Sequence, residues 1–540
     1  MNEGGGMVLG SLDTFLEAGA SQLKLGRLSA NAGLLRALLE YGTFRELRIF
    51  CPTNVERETL ASQLSQSFAP ELVKRVRLSL QMELPEALRA GEVDLFHSAG
   101  WSRYLSGLAR LRSRCAPHPM PITGMIHSLN GPEMSSRVRQ FLSAQFLSCD
   151  AVFCSSTAGR DAFARQLSLC GGGYHGNLFT LALGVHEECF HAPARESSRS
   201  KLGFASENFV FLWFGRLSAS SKADLGPLLY AFRRVRMLCP QVRLVLAGGS
   251  DAGSVQAYQA MIGELGLTNF VQLTVNPTDA QRATLYGACD AFVSPVDNHQ
   301  ETFGLAVVEA MAAGLPVIVS DWDGYKDLVE EGVTGYRIPT FWNQPPREHV
   351  WLREILEPDL AQLVLSQSVA VDVVSLSGRM AELANQPEKN REMGAHAAQR
   401  ARERFHWSVV VSQLELFWGQ LRHNAKGCDN LQVHDWNWDP WDAFGHYSTS
   451  SLQVGHRLNL SDDGRAVLAG TLPMPATWTD LAPISDGRLM TWIVRKLERE
   501  GEQAFGALRS QACQQFHRNP EDIAWMTLWL LKYGIVELSD

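Results

Sequence analysis

Short apolar segments alternate with amphipathic helical patterns through most of the chain, in two successive series. The first series predicts buried strands at residues 7–12, 46–52, 93–100, 121–128 and 151–156. The second series predicts strands at residues 209–217, 242–249, 270–275, 291–296 and 316–321. Strands that alternate with helices indicate crossover connections and parallel sheets. We therefore predict an α/β protein with two Rossmann-like, doubly wound domains.

Residues 192–207 are polar and lack periodicity, which predicts a linker between the two series. The predicted domains are a first Rossmann-like acceptor domain, a second Rossmann-like donor domain, helices that pack back across both lobes, and an accessory domain. Their predicted bounds are 1–191, 207–400, 401–423 and 430–540. Ligands of doubly wound sheets bind beyond the carboxyl ends of the strands, so we expect a cleft between the two lobes to hold the site.

The chain has 540 residues and a net charge of -8, which argues against a general nucleic-acid-binding protein. Residues 424–540 hold 15 acidic and 10 basic residues, and their pattern of short helices ending in a strand predicts a small, mostly helical, winged-helix-like fold. Because this region is acidic, we expect it to contact a protein partner rather than DNA. The Trp-rich segment at residues 435–442 is interpreted as a packing strap, with a carbohydrate platform as the alternative.

The ten cysteines include no Cys-x-x-Cys pair, which indicates buried, reduced thiols. The first residues show no basic segment followed by an apolar core, so we expect no signal peptide. No stretch approaches about 18 uninterrupted apolar residues, so we expect no membrane span. These features predict a cytoplasmic protein, with a peripheral membrane contact left open.

One segment, residues 294–338, carries the chemistry. A predicted strand ends at Val296, and the sequence Glu-Thr-Phe-Gly then opens a predicted helix. Amides at a helix N-terminus bind anions, and glycine lets a phosphate approach the backbone. The residues expected to present these amides are Thr302, Phe303, Gly304 and Leu305. We expect Glu309, further along the helix, to accept hydrogen bonds from ribose hydroxyls, and Glu301 to face a sugar ring.

Glu301 and Glu309 form the E-x7-E pattern, and the sequences AMAAGLPVIVSDWDG and GVTGYRI follow it. This arrangement resembles the retaining GT-B glycosyltransferases, in particular the GT4-like family of group 1 glycosyl transferases. The resemblance implies that Arg216 and Lys222, after the first strand of the second domain, clamp the donor diphosphate. The common family spacing between these two cations is one residue shorter than it is here.

In the first domain the resemblance is weaker. It implies that a glycine near the first strand approaches the donor or acceptor, which points to Gly26, although the usual double glycine is missing. It also implies a histidine near the donor sugar, which points to His127. His97 is a rival for the same cleft and is interpreted as an ordinary core histidine.

The resemblance implies a retaining hexosyltransferase that moves a sugar from a nucleotide-diphosphate sugar to an acceptor hydroxyl, in bacterial polysaccharide or glycoconjugate synthesis. No metal or other cofactor is expected. Asp321 and Asp323 form an Asp-x-Asp sequence that invites a metal interpretation, which we consider the weaker alternative. The acceptor is a carbohydrate, a lipid-linked sugar or a protein. Alternatives are a nucleotide-sugar epimerase, another enzyme on this fold, and a non-catalytic carbohydrate- or partner-binding protein.

Overall fold

The computed structural model describes residues 6–16, 26–131, 133–250, 252–428, 440–476 and 478–539. The chain divides into two compact units. The first unit comprises Met1–Phe50, Thr59–Leu78 and Glu86–Val433 and contains both parallel sheets. The second unit comprises Cys51–Glu58, Ser79–Pro85 and His434–Asp540.

The first sheet has seven strands. They are β1 (Val8–Ser11), β2 (Glu46–Cys51), β3 (Val76–Leu80), β4 (Leu95–Ser98), β5 (Ile122–Ile126), β6 (Ala151–Cys154) and β7 (Asn177–Thr180). Their order is β3-β2-β1-β4-β5-β6-β7, which is the doubly wound order with its switch point between β1 and β4. All five predicted strands are present. The pattern missed β3 and β7 because neither is a continuous apolar run, and β7 is only half-buried.

Helices connect these strands on both faces of the sheet. They are α1 (Gly26–Tyr41), α2 (Asn54–Ser67), α3 (Pro70–Val73), α4 (Leu84–Arg89), α5 (Leu105–Cys115), α6 (Met134–Leu142) and α7 (Thr157–Leu169). A buried ion pair joins α5 to the sheet, because Arg112 donates to both carboxylate oxygens of Asp150. The same carboxylate accepts from the backbone amides of Ile122 and Leu147, so its charge is fully compensated.

Helix α7 begins with a buried cap. The hydroxyl of Ser156 accepts a hydrogen bond from the amide of Gly159 at 3.0 Å. Replacing Ser156 with alanine is expected to lower the free energy of unfolding by about 1 kcal/mol, because one amide of the first turn loses its partner. A thermal unfolding scan measures the loss, with the exposed Ser168→Ala of the same helix as control. Equal midpoints for the two variants would contradict the cap.

The second sheet has six strands. They are β8 (Phe209–Phe214), β9 (Val242–Gly248), β10 (Val271–Val275), β11 (Ala291–Ser294), β12 (Val317–Ser320) and β13 (Gly335–Ile338). Their order is β10-β9-β8-β11-β12-β13, so this sheet repeats the doubly wound order with its switch point between β8 and β11. The helices of this domain are α8 (Arg195–Leu202), α9 (Gly226–Leu238), α10 (Ala252–Glu264), α11 (Asp279–Ala288), α12 (Leu305–Ala312) and α13 (Tyr325–Leu328).

Helix α8 lies in the segment for which the sequence predicts a linker. Its Arg199 is buried and donates to the carboxylate of Asp290 and to the carbonyl of Ala288. Asp290 also accepts from the amide of Val210, at the start of the first strand of the second sheet. The segment predicted as a linker therefore contains a helix, and its buried arginine ties that helix to the second domain.

An insertion of about thirty residues follows β13. It contains β14 (Thr340–Trp342), α14 (Arg347–Leu352), α15 (Pro358–Ser366) and β15 (Val369–Val371), and its two strands pair antiparallel. Three longer helices complete the first unit: α16 (Val373–Asn385), α17 (Pro387–Phe405) and α18 (Trp407–Ala425). Helix α18 returns to the first sheet, where Trp418 packs edge-on against His97 and Phe417 stacks on Phe179.

The second unit has its own core. Its elements are α19 (Pro440–Phe444), β16 (Arg457–Leu460), α20 (Asp462–Leu468), α21 (Gly487–Glu500), β17 (Gln503–Ala504), α22 (Phe505–Phe516), α23 (Pro520–Lys532) and β18 (Val536–Ser539). The strands form an antiparallel sheet in the order β17-β16-β18, and Leu458, Ile493 and Leu530 are fully buried beneath the helices. This confirms the mostly helical C-terminal region, while the winged-helix comparison stays a prediction.

Two further expectations from the sequence concern the Trp-rich segment and membrane-spanning helices. Residues 435–439 of the Trp-rich segment lie outside the described residues, so both interpretations of that segment stay predictions. Of the helices that the structure describes, none combines the length and the apolar character needed to cross a bilayer.

Candidate active site

The switch point of the second sheet brings two loops together. One loop follows β8 and carries Arg216 and Lys222; the other follows β11 and carries Glu301. The first loop is a serine-rich turn in which the amides of Lys222 and Ala223 both donate to the carbonyl of Ser218. Arg216 donates to the carbonyl of Ser221 at 2.8 Å. The spacing between Arg216 and Lys222 is one residue longer than the common family spacing, and this turn accommodates the added residue.

Buried polar groups fix the second loop against the first. Asn298 is fully buried, donates to the carbonyl of Ser220 at 2.7 Å and accepts from the amide of Gln300 at 2.8 Å. Asp297 accepts from the amide of Asp224 at 3.2 Å. Burial, together with the nearby charge of Asp224, raises the pKa of Asp297 to about 7. The sequence interpretation missed Asn298 and Asp297, whose only signal is that two polar residues directly follow a buried strand.

Lys222 and Glu301 form an ion pair at the meeting point of the two loops. Their side chains are 15% and 16% exposed, so the pair is screened weakly by solvent. Burial alone would raise the pKa of Glu301, but the charge and hydrogen bond of Lys222 outweigh it and leave that pKa below its ordinary value. For Lys222 burial works in the opposite direction, and the carboxylate of Glu301 keeps the pKa of the ammonium above its ordinary value. Both groups are therefore charged at neutral pH.

Arg216 completes the charged cluster. It lies near enough to Glu301 to interact with the carboxylate electrostatically, and burial lowers its pKa. The two cations predicted to clamp a diphosphate thus converge on Glu301, where an anionic group would meet both.

The helix tip differs in detail from the expectation. Helix α12 begins at Leu305, and Gly304 is its cap, with a φ of 109° in the left-handed region that favours glycine. Thr302 and Phe303 therefore precede the helix, and the amide of Phe303 donates to Glu301 at 3.3 Å. The amides that the helix leaves without an internal partner begin at Leu305. A glycine at this point is thus required by backbone geometry, which is a reason additional to phosphate approach.

Thr302 joins the two lobes. Its hydroxyl donates to the carbonyl of His127 at 2.9 Å, and the hydroxyl of Ser155 donates to the Thr302 carbonyl at 3.2 Å. The amide of Thr157 donates to Asp327 across the same boundary at 2.5 Å. The loop that carries Glu301 is consequently in direct contact with the ends of strands β5 and β6.

Glu309 lies one turn inside α12 and is buried. Its carboxylate pairs with Arg282 and accepts from the hydroxyl of Tyr286 at 3.0 Å. Both partners come from α11, four residues apart on one helical face, and the sequence interpretation did not identify either. Tyr286 is also within electrostatic range of Lys222, so Glu309 borders the charged cluster. Glu309 therefore has protein partners in this structure, and its contact with ribose hydroxyls stays a prediction.

The three candidates of the first domain occupy different places. His127 follows β5, is half-buried at the lobe contact, and its Nε2 lies 2.6 Å from the carbonyl of Ala99. His97 is buried among Trp418 and Phe153, with its Nδ1 at 2.9 Å from Thr123. Burial, together with the charge of His127, lowers the pKa of His97 to about 3, which suits the core role. Gly26 begins α1, and residues 17–25 before it lie outside the described residues.

The two carboxylates of the Asp-x-Asp sequence have separate surroundings. Asp321 pairs with Arg337 at 3.5 Å, whereas Asp323 lies beside Glu301 and Lys222. Burial and the neighbouring Glu301 raise the pKa of Asp323 well above its usual range. Within the described residues, no group of three or more His, Cys, Asp or Glu side chains is arranged to hold a metal ion.

A cavity of about 750 Å³ lies along the contact between the lobes. Ser155, Arg160 and Thr180 line it from the first domain, and Phe303 and Asp327 line it from the second. It reaches Phe303, two residues before the start of α12, and neither Lys222 nor Glu301 lines it.

The second sheet domain has known relatives. Residues 194–344 match the family model described as Glycosyl transferases group 1. The domain is similar to the group 1 glycosyltransferases. This confirms the resemblance carried by the E-x7-E pattern and the cations after β8, because the match contains all four of those residues.

Individual relatives match part of the chain. The phosphatidyl-myo-inositol mannosyltransferase of Mycobacterium tuberculosis is 28% identical over 232 residues, which are 43% of this chain and 51% of that protein. The D-inositol 3-phosphate glycosyltransferase of Mycobacterium leprae is 30% identical over 155 residues, which are 28% of this chain and 34% of that protein. The chain therefore spans about half the length, or less, of the curated relatives it matches.

Solved structures match over both lobes. Anabaena HepE in complex with UDP aligns with a TM-score of 0.54 and 20% identity, covering 77% of this chain and 100% of that one. Sucrose-phosphate synthase from Thermosynechococcus elongatus aligns with a TM-score of 0.53 and 18% identity, again covering 77% and 100%. These likenesses show the GT-B fold, two Rossmann-like domains joined across a cleft.

Proposed function

We propose that this protein is a retaining hexosyltransferase that moves a sugar from a nucleotide-diphosphate sugar to an acceptor hydroxyl. One observation carries the proposal: Arg216, Lys222 and Glu301 converge at the switch point of the second sheet, where doubly wound domains bind nucleotides. The likeness of this domain to the group 1 glycosyltransferases supports the same reaction class.

In the proposed reaction the second domain holds the donor. Lys222 has three N–H donors, so it can keep Glu301 and bind a phosphate oxygen at the same time. Arg216 offers a planar fork suited to a second phosphate oxygen. These cations stabilise the diphosphate as the bond to the sugar breaks and negative charge grows on the leaving oxygen, a contribution that is often the largest single one in catalysis.

In the same proposal Glu301 binds the donor sugar. Its ion pair and the Phe303 amide keep it ionised, so it can accept hydrogen bonds from sugar hydroxyls and stabilise positive charge at the anomeric carbon. The acceptor oxygen attacks from the face that the phosphate leaves, and its proton passes to the departing phosphate oxygen. Configuration is then retained without a second carboxylate as nucleophile, unlike the usual retaining glycosidases. His127, beside Thr302, is the proposed contact of the first domain with the donor sugar.

The setting of this reaction is part of the proposal. We place it in the cytoplasm, in bacterial polysaccharide or glycoconjugate synthesis, with no metal or other cofactor. A carbohydrate, a lipid-linked sugar or a protein is the acceptor, and residues 430–540 are a candidate surface for a protein partner.

A donor screen tests the proposal. Thermal unfolding is followed with UDP, GDP and ADP; a nucleotide at 100 times its dissociation constant should stabilise the protein by about 2.7 kcal/mol. The nucleotide that binds identifies the donor series. Turnover is then measured as release of that nucleoside diphosphate from its nucleotide sugars, with water or added glycosides as acceptors. Proton NMR of the product is expected to show the donor's anomeric configuration.

The same assay with EDTA is expected to give an unchanged rate. A strict need for Mn²⁺ or Mg²⁺ would contradict metal-independent transfer. If none of the three nucleotides shifts the unfolding midpoint, the donor site is absent, and epimerisation of the donor without an acceptor would establish a different enzyme.

A further inference from the structure

An aromatic cluster adjoins the loop that carries Glu301. The His299 ring packs edge-on against Trp322 and Trp342, with centroid distances of 5.2 Å and 4.7 Å. The two indoles lie nearly perpendicular, with centroids 5.9 Å apart. Trp342 is 46% exposed, so one side of this cluster faces solvent. Trp322 is half-buried and its indole donates to the carbonyl of Asn298, so the exposed indole of Trp342 is the aromatic surface that a ligand ring could contact.

The cluster contains buried polar atoms without partners. Among the residues that the structure describes, neither ring nitrogen of His299 has a hydrogen-bond partner, and neither has Nε of Arg353. Burial lowers the pKa of His299 to about 4, and the nearby positive charge of Arg353 contributes to the same shift. The imidazole is therefore neutral and offers one donor and one acceptor. Buried polar groups in native proteins are nearly always paired, so these atoms mark a place for polar groups of a ligand.

The insertion fixes this cluster at the junction of the lobes. Trp342 belongs to β14, and its indole donates to Ser368 at 2.9 Å. Arg353, just after α14, donates through Nη2 to the carbonyl of Asn130 at 3.0 Å, and Gln362 donates to the same carbonyl. Asn130 follows His127 by three residues. The insertion thus reaches from the second domain to the loop of the first domain that borders the proposed site.

We propose that His299, Trp322, Trp342 and Arg353 form an acceptor subsite that holds a pyranose ring of a carbohydrate acceptor. This inference rests on the proposed function. A pyranose has apolar C–H faces for the exposed indole of Trp342 and a ring of hydroxyls for the unpaired nitrogens. An alkyl chain would cover the indole but would form no hydrogen bond to the unpaired nitrogens.

The position of the cluster favours the acceptor over the donor sugar. His299 precedes Glu301 by two residues, which bounds their separation along the backbone to about 7 Å. A ring bound at His299 therefore lies next to a donor sugar whose diphosphate is held at Lys222. Trp342 and Arg353 come from the insertion, which lies beyond the donor loop and contacts the first domain.

Saturation-transfer NMR on the 540-residue chain, saturated with whichever of UDP, GDP and ADP stabilises it, tests the subsite. The probes are the methyl pyranosides of glucose, mannose, galactose and N-acetylglucosamine. At least one is expected to bind. Trp342→Ala should weaken that binding at least tenfold, and His299→Phe, which keeps the ring packing but removes both nitrogens, about fivefold. Trp351→Ala is the matched control, because this insertion tryptophan is 66% exposed and lies outside the cluster; it should bind as the wild type does.

Each variant is also assayed for stabilisation by the same nucleotide, which should match that of the wild type. Absence of glycoside binding to a wild-type protein that one of the three nucleotides stabilises would overturn the subsite and leave the proposed function standing. Unchanged binding in Trp342→Ala, or equal weakening in Trp351→Ala, would overturn it too. Should UDP, GDP and ADP all fail to stabilise the wild type, the proposed function falls and the acceptor role falls with it.

Discussion

Replacing Lys222 with methionine is expected to lower turnover at least a hundredfold. The ammonium is the cation that contacts Glu301 directly, and methionine keeps much of the side-chain volume without the charge. Removing one preorganised donor that stabilises charge in the transition state typically costs about 2.7–4 kcal/mol, a factor of about 100 to 1,000 in rate. The loss is measured as release of the nucleoside diphosphate from the donor that the nucleotide screen identifies.

The same substitution is also expected to destabilise the fold, because the largely buried Glu301 carboxylate then lacks its cation. Breaking such a pair from one side costs about 3 kcal/mol, whereas neutralising both sides is close to neutral. The double variant Lys222→Met with Glu301→Gln should therefore recover most of the unfolding midpoint but none of the turnover. Lys326→Met, which removes an exposed lysine of the same domain, is the control and should change neither.

These two readouts separate a catalytic cation from a structural one. A Lys222→Met enzyme that is unstable but turns over normally once folded would show that the pair only holds the loops together. Recovery of activity in the double variant would contradict the donor-binding role of Lys222, since that variant still lacks the charge.

The charged residues that the structure brings together share one property: their position follows from sheet order. Arg216 and Lys222 follow one strand and Glu301 follows another, and the doubly wound order makes β8 and β11 neighbours. The carboxyl ends of neighbouring parallel strands meet at one edge of the sheet, so these side chains had to converge. Periodicity of the apolar segments predicted the two strands, and the resemblance to the group 1 glycosyl transferases supplied the two cations.

The residues that the sequence misplaced or missed depend on partners that periodicity does not reveal. The pairing of Glu309 with Arg282 requires the packing of α11 against α12. The start of α12 at Leu305 rather than Thr302 depends on backbone dihedral angles. The insertion that carries Trp342 has no regular pattern, so its approach to His299 was visible only in three dimensions.

The cap of α12 shows how closely the site depends on such geometry. Gly304 is left-handed, and a Cβ built there would lie 2.3 Å from Cε1 and 2.7 Å from Cδ1 of Tyr325. Tyr325 is fully buried, bonds the hydroxyl of Ser294 at 3.0 Å and lies within electrostatic range of Lys222. Because the ring is fully buried and close-packed, moving it displaces its neighbours.

Gly304→Ala is therefore expected to harm both stability and turnover. Left-handed backbone costs a non-glycine residue about 1–2 kcal/mol, and a forced contact in a packed core adds about 1–3 kcal/mol. A displacement of about 1 Å at a reacting centre can lower the rate a hundredfold, so the folded fraction should also turn over slowly.

Gly314→Ala is the matched control, because Gly314 has a φ of 81° with no atom within 4 Å of a Cβ placed there. The unfolding midpoint should fall further for Gly304→Ala than for Gly314→Ala, and only Gly304→Ala should lose turnover per folded molecule. Equal effects of the two substitutions would mean that backbone strain alone accounts for the loss and that Tyr325 does not set the position of the helix tip.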